Sequence, residues 1–372
     1  MQKDSIVSDV KRQNRQRIAK YILEKKQTSR QELAKALGYS MPTVFANVNE
    51  LIEQGFVCEA GEYGSTGGRK AKVLTINRNH KSVMGLDITK RHIRMLLLDI
   101  TGEILKEDYF RFPYEDELEY YQKLGQYVCQ FIESGEENTE NLIGVGISLP
   151  GIIVPDRGLL QRSHILNVTD VSLNRFTQNI PYPAIFDNDA NCAAYVEISG
   201  ESKSTAYFSL SNTVGGAIYY NGRLCTGDNY KSGEFGHMII RPGGRTCYCG
   251  KKGCLDAYCA ALTLTNGIDD HLEAFFDNLA DGNTHAQEVW DEYLDNLAIA
   301  VSNIRMAFDC NIVLGGYIGG YVEQYMVPFT DKVRMYNNFD TDTNYITTGK
   351  YKRLSSAIGA ARLLVNQYVD SL

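Results

Sequence analysis

The sequence has no apolar run near the ~18 residues that a membrane span requires. Its longest apolar stretches are soon broken by charge, as in Met95-Leu96-Leu97-Leu98-Asp99. The opening residues MQKDSIVSDVKRQNRQR carry charge throughout, with no apolar core for a signal peptide. These absences predict a cytoplasmic protein without a membrane partner. Proline is scarce, at 8 of 372 residues, and tryptophan occurs once. With 44% apolar and 22% charged residues, the composition excludes a disordered, collagen-like or disulfide-stapled chain. Six of the nine cysteines (Cys58, Cys129, Cys192, Cys225, Cys259 and Cys310) are scattered, as expected of buried small hydrophobes.

The charge is uneven along the chain. Residues 1–80 carry 14 Lys+Arg against 8 Asp+Glu, a balance of +6, and the rest carry 24 against 37, or −13. A basic head on an acidic body hints at a nucleic-acid module joined to something else. In the head, Ile18, Tyr21, Ile22 and Leu23 form a helical stripe within about 11–26. Thr28 or Ser29 then offers an N-cap for a helix over Arg30–Leu37, and Gly38 suits a left-handed C-cap. A third helix starts near Met41-Pro42, buries Val44, Val48, Leu51 and Ile52, and stops at Gly55. Two β runs follow, Phe56–Ala60 and Ala71–Ile76, joined by a glycine-rich tip.

That order of elements is a winged helix-turn-helix, whose third helix lies in the major groove. Ser40, Thr43, Ala46 and Asn47 are the expected base-facing residues, with Arg69 and Lys70 of the wing on phosphates or in the minor groove. The competing reading is a small interaction domain with a solvated basic face. The hairpin placed directly after the third helix favours DNA.

From Ser82 the pattern becomes α/β. Apolar strands are expected over Val83–Ile88, Ile93–Ile100, Glu103–Phe112 and Leu142–Ser148, with a helix over 116–133. Ala184–Phe186 leads into Asp187-Asn188-Asp189-Ala190-Asn191 and a further helix. The arrangement then restarts with Thr205–Leu210, a turn over Ser211–Gly216, Ala217–Tyr220, a long helix over Ala286–Phe308 and a strand over Asn311–Leu314. Two copies of one unit predict two lobes with a ligand cleft between them. The expected domains are a head over 1–77, a first lobe over 82–186 completed by a helix over 355–372, and a second lobe over 187–354.

His237, Cys247, Cys249 and Cys254 are spaced H-x9-C-x-C-x4-C, four zinc-type ligands within 18 residues. Three thiolates and an imidazole close a tetrahedron, the structural rather than catalytic kind of zinc site. Nearby glycines allow the chain to wrap an ion. Unrelated cysteines, or a redox pair, are the alternatives; Cys-x-Cys makes a poor disulfide. One structural zinc per chain is the expectation.

Four segments together resemble one known group. They are Gly144-Val145-Gly146-Ile147-Ser148-Leu149-Pro150-Gly151, Asn188-Asp189-Ala190-Asn191, Gly233-Glu234-Phe235-Gly236-His237, and the run from Cys247 to Asp256. In this order they resemble the ROK family (repressors, open reading frames, sugar kinases), of the actin/hexokinase-like fold, over essentially the whole chain. The winged helix in front is a mark of the family's repressors. The resemblance implies the same zinc knuckle and a sugar held by Asn188, Asp189, Glu234 and His237, with Gly151 closing the pocket. Asp256, a further sugar-binding residue that the resemblance implies, stands where the family usually has Glu, one methylene longer, so either the pocket is tighter there or that hydroxyl contact is lost or water-bridged. Alone, Asn188-Asp189 would read as an ordinary Asx turn and helix cap.

Family kinases carry Asp-x-Gly-Gly-Thr in the first hairpin turn and Gly-Thr-Gly in the second. Here the runs are Asp87-Ile88-Thr89-Lys90-Arg91 and Ser211-Asn212-Thr213-Val214, with Gly215-Gly216 just after. Without those glycines, side chains obstruct close backbone approach to phosphates. The expectation is therefore not an enzyme but a sugar-responsive transcriptional repressor of carbohydrate genes. Its partners would be a pseudo-palindromic operator, a sugar or sugar-phosphate effector, and a second copy in a homodimer or tetramer. The alternative is an active ATP-dependent sugar kinase with Asp189 as general base.

Overall fold

The architecture is that of a computed structural model, which describes residues 2–62, 71–134, 141–198, 203–265, 267 and 271–372. The head runs α1 (Gln2–Lys25), β1 (Gln27–Thr28), α2 (Arg30–Leu37), α3 (Met41–Glu53), β2 (Val57–Glu62) and β3 (Lys72–Ile76). Its strands form a three-stranded sheet in the order β1-β3-β2. Helix α1 starts well before its apolar stripe and ends where Lys26 takes φ 65°. The stripe marks only where α1 packs, since residues 9–13, just before it, are exposed. Ser29 caps α2, its hydroxyl accepting from Glu32 N, and Gly38 closes it at φ 69°. The two-residue β1 was too short for any pattern in the sequence to show.

The first lobe comprises β4 (Ser82–Ile88), β5 (His92–Asp99), β6 (Ile104–Arg111), α4 (Leu118–Glu133), β7 (Leu142–Leu149), β8 (Ile152–Val154), β9 (Leu159–Ser163), β10 (Val168–Ser172), α5 (Asn174–Thr177) and β11 (Ala184–Asn188). There follow α6 (Asp189–Glu197), β12 (Thr205–Leu210), β13 (Val214–Tyr220), β14 (Arg223–Leu224), α7 (Asp256–Cys259), α8 (Ala261–Leu264), α9 (Leu272–Ala280), α10 (Thr284–Phe308), β15 (Asn311–Gly315), α11 (Gly316–Val322), α12 (Met326–Tyr336), β16 (Ile346–Thr348) and α13 (Ser355–Ser371).

The two large sheets have orders β11-β7-β4-β5-β6 and β14-β13-β12-β15-β16. Each pairs a central strand antiparallel with the next strand in the chain and parallel with a later one (β4 with β5 and β7, β12 with β13 and β15). This is one unit built twice. A small sheet, β10-β9-β8, fills the stretch between Gly151 and Ala184 that has no clear period.

The expected turn over Ser211–Gly216 is shorter than the sequence suggests, because β13 already begins at Val214. Gly215 and Gly216 sit in the ladder opposite Ser209 and Phe208. A Cβ on Gly216 would lie 2.2 Å from the Phe235 ring, so this glycine serves close packing rather than a turn.

Apolar residues of the head (Ile18, Leu33, Val48), of β4 and β5 (Val83, Leu96) and of α13 (Val365, Val369) belong to one continuous core. The connection between head and body is also held: Asn77 N donates to Phe56 O at 2.9 Å, and Ile100 N to Lys81 O at 3.0 Å. Among the described residues, no helix is long and apolar enough to cross a membrane.

Candidate functional site

Two cavities meet between the lobes. The parallel register of β11 on β7 sets Asn188 opposite Leu149, beside the Pro150-Gly151 turn. Asn188 Nδ2 donates to Gly151 O at 2.9 Å, and its Oδ1 accepts from Ala190 N and Asn191 N at 2.9 and 3.2 Å, capping α6. Gly151 takes φ 129°, and a Cβ there would lie 2.5 Å from Arg162 O; only glycine fits. Asp189 follows as the first residue of α6.

The first cavity, of about 340 Å³, is lined by Gly151, Asn188, Asp189, Glu234 and His237. The second, of about 300 Å³, shares Asp189 with it. Burial, with the nearby Asp87 charge, pushes the Asp189 carboxyl up to about 7. Burial likewise raises Glu234, partly offset by the Lys231 charge. Asp187 is raised by burial too, against hydrogen bonds from Asn191 and from Asn188 N.

Asp256 is not among the residues that line the two cavities. It is buried, with Oδ2 accepting from Val214 N at 2.7 Å, so its carboxylate anchors the start of β13. Burial pushes it up to about 7.

The ligand atoms of His237, Cys247, Cys249 and Cys254 all lie within 4.8 Å of one another. A zinc tetrahedron with Zn–S near ~2.3 Å has S···S edges of about 3.8 Å. Cys249 Sγ and Cys254 Sγ are 3.8 Å apart, and Cys247 Sγ is 3.8 Å from His237 Nδ1. The residues therefore fit a tetrahedral ion bound through Nδ1. Burial and His164 hold the His237 imidazole below its usual range, which favours the neutral form a metal requires. With Nδ1 on the ion, Nε2 is left on the cavity side, 3.4 Å from the Tyr248 hydroxyl.

Among the wall residues that sequence reasoning missed are Tyr248 and His164. Tyr248, between two ligand cysteines, packs edge-on against His237 with centroids 5.3 Å apart, and His164 approaches both rings from the other lobe at 5.8 and 6.0 Å. Tyr248's position inside Cys-x-Cys was the available signal; His164 had none. Lys90, Arg91, Lys352 and Arg353 line the second cavity with Ser211, Asn212 and Thr213.

On the head, Ser40, Thr43 and Ala46 lie on the outer part of α3, but Asn47 does not. It is 2% exposed, its Nδ2 donating to Thr43 O at 2.8 Å. Its position three residues after Val44 and four before Leu51 puts it on the buried stripe. Ser40 Oγ caps α3 by accepting from Thr43 N at 3.3 Å. Phe45, 46% exposed, carries Arg30 over its ring at 5.0 Å. Arg69 and Lys70 lie outside the described residues.

Two family profiles match the chain. The ROK family profile matches residues 83–367, and a winged helix-turn-helix DNA-binding profile matches residues 11–57. The xylose repressor of Bacillus subtilis (strain 168) is 30% identical over 264 residues, 70% of this chain and 68% of that protein. The DNA-binding transcriptional dual regulator NagC of Escherichia coli (strain K12) is 26% identical over 246 residues, 64% and 60% of the two chains. A crystal structure of a ROK family transcriptional regulator, a homologue of the E. coli MLC protein, superposes with TM-score 0.76 at 20% identity over 97% of both chains. A ROK family glucokinase from Streptomyces griseus, in complex with glucose and AMPPNP, gives TM-score 0.65 at 20% identity over 76% of this chain and 98% of that one.

Proposed function

This chain belongs to the ROK family, and from that membership we propose that it is a sugar-responsive transcriptional repressor whose effector binds between the lobes and changes operator affinity. The observation that carries this reading is the pairing of a winged helix with a cleft walled by Asp189, Glu234 and His237. Vicinal hydroxyls need acceptors that converge, and two carboxylates with an imidazole edge supply them. Asn188 acts behind that wall, tying Gly151 to the start of α6. One structural zinc on His237, Cys247, Cys249 and Cys254 would fix the imidazole and hold Tyr248 in the wall.

Between a free sugar and its phosphate ester, the second cavity favours the ester. Lys90, Lys352 and Arg353 line it beside Asp189, where a phosphoryl group on a bound sugar would meet cationic side chains. The repressor would act in the cytoplasm as a homodimer or tetramer on a pseudo-palindromic operator, each α3 in a major groove with Ser40, Thr43 and Ala46 towards the bases. The wing residues Arg69 and Lys70 would meet phosphate. The head covers 1–77, the first lobe 82–186 with 355–372, and the second 187–354.

The test is a thermal-shift screen of D-xylose, N-acetylglucosamine and their phosphate esters, followed by binding to DNA upstream of the protein's own coding sequence. A stabilising sugar that changes a salt-sensitive preference for that DNA over random duplex supports the reading. No preference over random duplex sinks it. The kinase alternative has one observation in its favour: Asp189, with its carboxyl near 7, faces both cavities and is suited to a general base. Sugar-dependent ATP consumption that disappears in Asp189→Asn would establish it. The proposal that catalysis is lost rests on the absence of the family's glycines at Thr89–Arg91 and Ser211–Thr213.

A further inference from the structure

Helix α13 touches both functional ends of the molecule. At its start, Ser355 and Ser356 line the second cavity, and Ser356 Oγ donates to Asp189 O at 3.2 Å. Its last residues lie against the head. Asp370 pairs with Lys20 at 2.6 Å and its O accepts from Gln16 Nε2 at 2.6 Å, while Tyr368 OH meets His80 Nε2 of the connecting segment at 2.5 Å. Arg15 Nε donates to Leu372 O at 2.8 Å, while the same guanidinium reaches Glu50 of α3 at 2.9 Å. Seventeen residues of α-helix span about 25 Å, so one rigid element runs from the cleft to α1, whose Arg15 reaches Glu50 of α3.

Its seat leaves no slack. A Cβ on Gly85 of β4 would lie 2.1 Å from Ala357 O, and one on Gly146 of β7 would lie 2.0 Å from Ala360 O. On the other side, a Cβ on Gly359 would lie 1.8 Å from Cys192 O of α6. The helix backbone is thus wedged between the first-lobe sheet and α6, the helix that Asp189 begins. Val365, Val369 and Leu372 share one apolar core with Ile18 and Ile22 of α1. Close-packed interiors move as blocks rather than deform smoothly.

We propose that α13 is the strut through which occupancy of the cleft is felt by the DNA-binding head of the same chain. A ligand drawn to Asp189 shifts α6 against the β4–β7 sheet. The wedged α13 follows, and its far end carries α1 and, through Arg15, α3. This inference rests on the effector reading above, yet its far-end contacts can be cut without touching the cleft or the exposed face of α3.

The variant Arg15→Ala/Gln16→Ala/Lys20→Ala removes the polar links between α1 and the end of α13, with Lys20→Ala alone as the milder form should the triple variant fold poorly. Amide hydrogen exchange of the full zinc-loaded chain is followed in α1, α3 and α13, with and without whichever of D-xylose, N-acetylglucosamine or their phosphate esters stabilises it. Wild-type protein should respond in α13 and α1 together. The variant should keep the α13 response and the sugar affinity but lose the α1 response. Its operator affinity ratio with and without sugar should fall towards one from the roughly 5- to 150-fold usual for coupled sites. An α1 response equal in variant and wild type overturns the proposal. If no sugar stabilises the protein, the effector reading fails, and the strut is tested by Ser356→Ala instead. That substitution should change α1 exchange in the wild-type background and not in the far-end variant; no change in either overturns the strut.

Discussion

Asp189→Asn isolates the charge placed where the two cavities meet. The substitution keeps the shape and the oxygen that faces the start of α6, and removes only the ionisation. A carboxyl moved from 3.8 to about 7 corresponds to about 4 kcal/mol of penalty on the charged form. Asp189 keeps partial exposure to the cleft, where water screens roughly half of that, leaving about 2 kcal/mol. The sign follows from linkage. The folded protein holds this proton more tightly than the unfolded chain, so wild-type stability falls as pH climbs from the ordinary aspartate value to about 7. The asparagine variant escapes that loss. Its advantage should be slight near pH 4, grow through neutrality, and be complete above about pH 7. For a chain of 372 residues, 2 kcal/mol corresponds to about 2 to 3 °C in melting temperature. Thermal unfolding of both proteins across a pH series, without ligand, is the assay. A variant equal to or less stable than wild type at pH 8, or a gap constant with pH, refutes the electrostatic account. The same substitution should weaken sugar binding, because the amide offers one acceptor where the carboxylate offers two.

Cys254→Ser should abolish stoichiometric zinc measured by elemental analysis and expose the segment from His237 to Cys254 to protease; full zinc retention would show that the set of four is not the ligand shell. Asn47→Leu should leave operator affinity unchanged in a binding titration and keep or raise head stability, since Asn47 Oδ1 is buried without a hydrogen-bond partner and an apolar group of similar size removes that cost. A large loss of DNA affinity would return Asn47 to the DNA-facing side. Gly359→Ala should destabilise by about 1–3 kcal/mol in denaturant unfolding through overpacking against Cys192 O; a neutral result would mean that the seat of α13 can yield.

Much of this architecture is written in patterns with short physical range. Pro42 announces α3, Gly38 announces the end of α2, and the spacing of His237 and three cysteines announces the knuckle. What stayed hidden depends on contacts distant in sequence. Asp256 reads as a cleft acid until the fold places Val214 N beside it. His164 carries no local signature, and only the β9–β10 loop brings it across to His237 and Tyr248. Gly216 looks like a turn glycine because its reason, the Phe235 ring, lies nineteen residues on. Asn47 is different in kind: its burial was legible from its spacing to Val44 and Leu51, and its polarity obscured it.

The place of Tyr248 has a practical side. Because it sits between Cys247 and Cys249 and also walls both cavities, the proposed zinc would lend the firmness of the knuckle to the cleft. A ligand survey run in a chelating buffer would grade compounds against a slackened pocket, and weak or absent hits would report on the buffer rather than on the compounds. Metal content therefore has to be fixed before any ranking of sugars can be read as selectivity.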